Sequence, residues 1–216
     1  VIEKVKTDGF QTTFNAVKNK IDQPMPLGYN NVGTIIGIGE GVEGFKLGQR
    51  VVSNGAHAEV VLVPKHLCAI IPEEVDNNTA AFTILSSIGL QGIRLANPTI
   101  GETVFVIGLG LIGMLTAQLL LAQGCKVLGL DTDNDKCQLA ESFGIKTISP
   151  SKNEDPYSWC LRETNGIGVD AVLITASTSS NEPIDLAAKV SRQRGRIILI
   201  GVAGLNLKRD LFYKKE

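Results

Sequence analysis

The sequence predicts an α/β protein: a doubly wound parallel sheet preceded by a smaller, β-rich N-terminal domain. Three observations carry this. The stretch Thr103 to Gly113 joins five β-branched and aromatic residues to three glycines, Gly108, Gly110 and Gly113, spaced G-x-G-x-x-G. A helix-forming run from Leu111 to Gln123 and a second strand, Lys126 to Leu130 ending on Asp131, follow at once. Beyond Gly101 strand-type and helix-type runs alternate, whereas between Leu27 and Ile71 short β-branched runs are separated only by glycine-rich turns. Alternating runs fold as βαβ units; short strands without a crossover-length helix build antiparallel sheets. The boundary falls near Ser87, dividing the chain into domains 1–86 and 87–216.

In chain order, Val1 to Ile21 reads as helix, with Phe10, Phe14 and Val17 at helical spacing, Gly9 as a weak point, and Pro24 and Pro26 as terminators. Val32 to Ile38, Arg50 to Ser53, His57 to Pro64 and Leu67 to Ile71 read as strands of a small barrel or sandwich, with turns at Gly37, Gly39, Gly41, Gly44 and Gly48. Asp76 to Ala96 is helical, capped at Asp76 or Asn77 and stopped by Pro98, with Gly89 and Gly92 as points where it can break. Three glycines are read as helix stops before strands: Gly124 before Lys126 to Leu130, Gly144 before Ile145 to Ile148, and Gly195 before Arg196 to Ile200. Asp133 caps a helix ending at Phe143, Asp155 or Pro156 starts one ending near Thr164, Val169 to Ala176 is a buried strand, and Glu182 to Ser191 is a helix. These runs give five parallel strands in the spatial order 3-2-1-4-5, with no evident sixth strand.

The glycine spacing has a local physical reason. Gly108 permits the sharp turn from strand to helix, Gly110 has no Cβ to fend off a pyrophosphate, and Gly113 lets helix and strand pack closely. The helix start offers unpaired N–H groups and a partial positive charge to phosphate oxygens. Asp131, about 20 residues on, can accept hydrogen bonds from an adenosine ribose. A carboxylate suits the free hydroxyls of NAD and repels the 2′-phosphate of NADP, and Thr132, Asp133 and Asn134 bring no cation. The expected cofactor is therefore NAD rather than NADP. Its contacts are expected from Gly108, Leu109, Gly110, Leu111, Ile112, Gly113, Asp131, Thr132 and Lys136, and from the fourth and fifth strand ends at Thr175, Ala176, Gly201 and Val202.

Composition excludes several alternatives. The chain has 216 residues and a net charge of −1, which favours neither a nucleic-acid nor a membrane partner. The uncharged run between Glu102 and Lys126 is long enough to span a bilayer, but its glycines divide a strand from a helix. Val1 to Lys20 is charged and lacks the apolar core of a signal peptide. Cys68, Cys125, Cys137 and Cys160 are scattered, as in a reduced, cytoplasmic protein; His57, His66 and Cys68 do not match a zinc spacing. The N-terminal Val and the Lys-Lys-Glu ending are those expected of a fragment.

The chain resembles the medium-chain dehydrogenase/reductase family, which joins a GroES-like β domain to a Rossmann domain. The resemblance rests on Gly33-Thr34-Ile35-Ile36-Gly37-Ile38-Gly39 with Val42, Phe45 and Gly48-Gln49-Arg50-Val51; on Ala58-Glu59-Val60 leading to Val63-Pro64; on the Gly108 to Gly113 loop with Asp131 and Lys136; and on Gly195 to Gly201. Pro26 to Gly33 and Thr175 to Pro183 resemble the dehydrogenase half of bi-domain oxidoreductases of bacterial polysaccharide synthesis. The family implies a Rossmann sheet, a partial GroES-like domain, hydride transfer with a nicotinamide cofactor, a Lys136 contact to the ribose, and a homodimeric parent, here fused to a second oxidoreductase domain. It also implies a zinc-binding His where this chain has Tyr29-Asn30 after Gly28, and a zinc-binding Cys near Leu85 to Ser87, where there is none. The four-cysteine zinc lobe expected after Val51 is replaced by Ser53-Asn54-Gly55-Ala56.

The expectation is thus a zinc-independent oxidoreductase for an alcohol or carbonyl substrate, such as a sugar or nucleotide-sugar. Tyr29 and Asn30 are its candidate catalytic residues, and the fragment is expected to be inactive alone. An NADPH-dependent enone or quinone reductase and a non-catalytic dinucleotide-binding module are the alternatives.

Overall fold

A computed structural model describes residues 27–150 and 154–215, together with Gly9, residues 11–14 and Lys18. The helix expected over Val1 to Ile21 lies largely outside the described residues. The chain divides into two compact units, Val1–Ala81 and Phe82–Glu216.

The first unit contains a three-stranded antiparallel sheet of β1 (Asn31–Thr34), β2 (Arg50–Ser53) and β3 (Cys68–Ile70), in that order. Val32 faces Val52, and Val52 faces Ala69. The sheet is pinned at one end by the Asn31 amide, which accepts from Ser53 Oγ at 2.6 Å and donates to the Ala56 carbonyl at 3.0 Å. At the other end the Arg50 guanidinium donates to the carbonyls of Pro72 and Val75, each at 2.9 Å, and to Asn77 Oδ1 at 2.9 Å. It thereby orders the turn leading to α1 (Asn77–Ala80), whose first N–H groups are capped by Asp76.

Two strand expectations fail here. β1 stops at Thr34 because the chain turns through residues 35–49, with Gly41, Gly44 and Gly48 at positive φ, before β2 returns. The segment 57–64 forms no strand, although it alternates in sequence. Alternation marks a two-faced segment, but a strand needs a partner edge, and β3 pairs with β2 instead.

The second unit is a five-stranded parallel sheet in the order β6-β5-β4-β7-β8, the predicted 3-2-1-4-5 arrangement. Its strands are β4 (Thr103–Ile107), β5 (Lys126–Leu130), β6 (Lys146–Ile148), β7 (Val169–Ile174) and β8 (Ser191–Leu199). The helices α2 (Thr83–Ala96), α3 (Leu111–Ala122), α4 (Asn134–Ser142), α5 (Pro156–Glu163) and α6 (Glu182–Val190) connect or cover them, and α7 (Arg209–Phe212) follows. Both faces of the sheet are buried, so alternate residues of one strand serve different cores. Val104 and Val106 pack with Ala117 and Leu120 of α3, while Phe105 and Ile107 pack with Trp159 of α5 and Ile184 of α6.

No helix among the described residues is long and apolar enough to cross a membrane. The uncharged run from Thr103 instead supplies β4, a loop and α3, and Gly124 ends it at φ +87°. Gly144 stops α4 in the same left-handed way at φ +86°. Gly195 does not stop a helix. α6 ends at Val190, and residues between Ser191 and Arg196 bulge outward against Asp170, with Arg194 at φ +58°. The bulge is held by Arg192, whose Nε donates to Asp170 Oδ1 at 2.6 Å.

The helix expected over Asp76 to Ala96 is two helices, α1 and α2, broken at Ala81–Phe82 rather than at Gly89 or Gly92. Those glycines serve packing. A Cβ on Gly89 would lie 2.3 Å from Thr116 Oγ1 of α3, and one on Gly92 would lie 2.3 Å from Ile200 Cδ1.

Candidate functional site

The predicted dinucleotide residues converge at the C-terminal ends of β4, β5, β7 and β8. There the strand order reverses between β4 and β7, which opens a crevice in a doubly wound sheet. The three glycines of the loop do different work. Gly108 adopts φ +96°, and a Cβ on it would stand 2.7 Å from the Ala176 nitrogen. Gly113 is buried in the first turn of α3, where a Cβ would lie 1.9 Å from the Gly108 carbonyl oxygen. Gly110 is exposed at the N-cap of α3, and a Cβ there would meet nothing within 4 Å. The space above Gly110 is therefore open to a ligand beside the free N–H groups of the helix start.

Leu109 turns into the core with 1% of its surface exposed, so it offers the crevice only backbone. Its N–H donates to Asp131 Oδ2 at 2.7 Å. The other oxygen, Oδ1, accepts from Asp133 N–H at 2.9 Å and faces Lys136 Nζ at 3.9 Å. Lys136 also lies 3.4 Å from Asp133 Oδ2. Leu111 and Thr132 are exposed, and Ile112 is half-buried.

Across the crevice, Thr175 Oγ1 donates to the Gly108 carbonyl at 2.5 Å and lies 3.2 Å from the Ile107 carbonyl. Ala176 is half-buried against Gly201, where a Cβ would sit 2.2 Å from the Ala176 carbonyl oxygen. Val202 is exposed, and its N–H bonds the Ala176 carbonyl at 3.1 Å.

A further feature had no signal in the sequence. Asn181 Oδ1 accepts from Asn206 N–H at 2.7 Å, and its Nδ2 donates to the Asn206 carbonyl at 2.9 Å. With Thr178 N–H to the Val202 carbonyl at 2.7 Å, this amide extends the β7–β8 pairing into a lip beyond the sheet. Only folding brings residues 25 positions apart into that register.

Tyr29 and Asn30 belong to the first unit. The Tyr29 ring is half-exposed. Asn30 Nδ2 donates to the Ala81 carbonyl, and its buried Oδ1 has no partner among the described residues. The His57 ring covers Gly28, where a Cβ would meet it at 2.4 Å. A cavity of about 270 Å³ in this unit is lined by residues including Val32, Ile36 and Phe45. Among the described residues, no group of three or more His, Cys, Asp and Glu side chains is arranged to hold a metal. The phenol and amide of Tyr29 and Asn30 are poor substitutes for a zinc-binding imidazole.

Two protein families match the two halves of the chain. The alcohol dehydrogenase GroES-like domain matches residues 5–73, and the zinc-binding dehydrogenase family matches residues 112–214. The chain is 26% identical to an alcohol dehydrogenase of Moraxella sp. (strain TAE123), over 94% of this chain and 70% of that protein. It is 27% identical to (R,R)-butanediol dehydrogenase of Bacillus subtilis (strain 168), over 68% of this chain and 50% of the relative. Among solved structures, galactitol-1-phosphate dehydrogenase from Escherichia coli matches with a TM-score of 0.78 at 25% identity, over 91% of this chain and 66% of that one. The chain thus spans between 50% and 70% of the length of these relatives. With a GroES-like segment followed by a parallel α/β unit, each matched by its own family model, the chain is similar in sequence and in fold to zinc-type alcohol dehydrogenases.

Proposed function

We propose that this chain is the core of an NAD-dependent oxidoreductase that moves a hydride between the nicotinamide and an alcohol or carbonyl substrate without zinc. The observation that carries the reading is the open, Cβ-free position at Gly110, set at a helix start beside the Asp131 carboxylate. Backbone N–H groups of the α3 first turn would hold the pyrophosphate, and Asp131 with Lys136 would hold the adenosine ribose. Gly201 and Val202, with the Asn181-stapled lip, would border the nicotinamide. Hydride chemistry is the cofactor's own; the protein's part is position and proton handling.

The Asp131 charge supports NAD over NADP. Zinc independence is supported by the donor chemistry of Tyr29 and Asn30. Tyr29 is the proposed hydrogen-bond partner of the substrate oxygen, and Asn30 the residue beside it. A sugar or nucleotide-sugar is the proposed substrate class, resting on the resemblance to bi-domain oxidoreductases. The proposal extends to a cytoplasmic, homodimeric parent carrying a second oxidoreductase domain, and to residues 1–216 binding dinucleotide without turnover on their own.

The test is a fluorescence titration of the full-length protein with NADH and NADPH, then turnover on a panel of alcohols, ketones and sugars, with metal content measured alongside. NADH should bind more tightly than NADPH, and a chelator should leave turnover intact. Absence of binding to either dinucleotide, where a control dehydrogenase binds, would refute the reading. Stoichiometric zinc with chelator-sensitive turnover would refute the zinc-free mechanism, and tighter NADPH binding with enone reduction would favour a reductase.

A further inference from the structure

The peptide between Gly108 and Leu109 is gripped from both sides. Its carbonyl accepts from Thr175 Oγ1 on the β7 side at 2.5 Å, and its N–H donates to Asp131 Oδ2 on the β5 side at 2.7 Å. In a trans peptide these two groups point in opposite directions, so the two bonds together fix the rotation of that peptide plane. We propose that Thr175 is a positioning residue: it clamps this peptide, with Asp131 as the opposing jaw, and thereby presents the glycine loop in its ligand-ready shape. This rests on the dinucleotide reading above and reassigns Thr175 from a ligand contact to a support of the loop.

Three observations converge on it. First, Thr175 is itself anchored. Its N–H bonds the Ile107 carbonyl at 2.9 Å, and its β-branched side chain has few rotamers. Second, the hydroxyl lies in the space that Gly113 leaves, since a Cβ there would be 2.7 Å from Thr175 Oγ1 as well as 1.9 Å from the Gly108 oxygen. The absence of a side chain at position 113 thus admits the clamp as well as bringing helix and strand together. Third, Gly108 at φ +96° gives no Cβ to restrict the peptide, so its orientation must come from partners. A Gly108 carbonyl turned toward the crevice would place a partial negative charge near the pyrophosphate. Held by Thr175, it faces Gly113 and leaves the helix start to the ligand.

The test compares wild-type protein with Thr175→Val, which keeps the shape and removes the donor, and Thr175→Ser, which keeps the hydroxyl. Affinity for NADH should fall about five- to tenfold in Thr175→Val, as for the loss of one part-buried hydrogen bond, and return to within about twofold of wild type in Thr175→Ser. Should Thr175→Val not fold, Thr175→Ala removes the same donor without placing a methyl beside the Gly108 oxygen. Amide exchange of the unliganded proteins supplies the second readout. The Leu109 amide, held by Asp131, should exchange faster in the donor-less variant while the β4 and β5 amides keep their protection, a local effect that a general loss of stability would not produce. Equal NADH affinity in wild type and Thr175→Val overturns the proposal, as does loop exchange unchanged or matched by equal loss across the sheet. If wild type binds no dinucleotide, the dinucleotide reading fails, and the exchange comparison alone decides the clamp.

Discussion

Adding one methyl at Gly110 and at Gly113 should weaken NADH binding in both cases but destabilise the fold only at Gly113. At Gly110 the backbone sits at φ −64° and a Cβ meets nothing within 4 Å, so Gly110→Ala is tolerated by the fold. Alanine is a poorer N-cap than glycine by a few tenths to about 1 kcal/mol, and it restricts the unfolded chain by about 0.4–1 kcal/mol, so the two effects nearly cancel. The methyl nonetheless stands in the open space where the pyrophosphate is proposed to approach, and NADH affinity should fall about tenfold or more. At Gly113 the methyl meets a backbone carbonyl at 1.9 Å and the Thr175 hydroxyl at 2.7 Å, neither at the end of a flexible side chain. Such overpacking costs about 1–3 kcal/mol, and the gain in helix propensity offsets up to about 1 kcal/mol of the combined loss of packing and of the Thr175 bond. Gly113→Ala should therefore lower the melting temperature by several degrees as well as weaken NADH binding. Thermal unfolding followed by circular dichroism, with NADH fluorescence titration on the same samples, separates the two effects. A Gly110→Ala protein that binds NADH like wild type, or a Gly113→Ala protein of unchanged stability, would refute the assignment of these roles.

Asp131→Ala should narrow the preference for NADH over NADPH by about tenfold, because it removes the charge that repels a 2′-phosphate. NADH affinity should fall too, since Asp131 also holds Leu109 N–H; separate dissociation constants for the two cofactors check both effects. Arg196→Lys should cost about 1–3 kcal/mol in urea unfolding, because the guanidinium fork donates to the Ala96 carbonyl at 2.8 Å and to Glu102 Oε2 at 2.5 Å, which one ammonium cannot do together. NADH affinity should be unaffected, since this cluster lies at the opposite strand ends from the glycine loop. Asp155→Ala should cost about 1 kcal/mol by uncapping α5. The Ser158 N–H and hydroxyl hold the Asp155 carboxyl below the usual carboxylate range. The cap is thus fully present above the ordinary aspartate pKa and is lost as pH falls through the lowered value, so wild type and variant should converge in stability in acid.

Where strand partners follow in simple succession, the pattern was legible. β4, β5 and β7 are buried on both faces and therefore read as mainly apolar runs, with Lys126 and Asp170 as the charged exceptions, and Asp133 caps the helix it was expected to cap, while Asp76 and Asp155 are the caps chosen between the open alternatives, Asp76 on the shorter α1. The failures are non-local. Residues 57–64 alternate like a strand but find no partner edge. Gly89 and Gly92 resemble helix breakers, yet they make room for Thr116 and Ile200. Gly195 resembles a helix stop, yet it lies in a bulge set by the Arg192–Asp170 pair.

For the glycine loop, sequence alone determined the motif, the helix that follows and the acid at the next strand end, because each depends on local backbone conformation and spacing. Tertiary structure decided that Leu109 turns inward, that Asp131 holds the loop, that Thr175 grips the Gly108 carbonyl, and that Asn181 staples the lip. Each of those contacts joins residues brought together by strand order, and no local conformational preference encodes them.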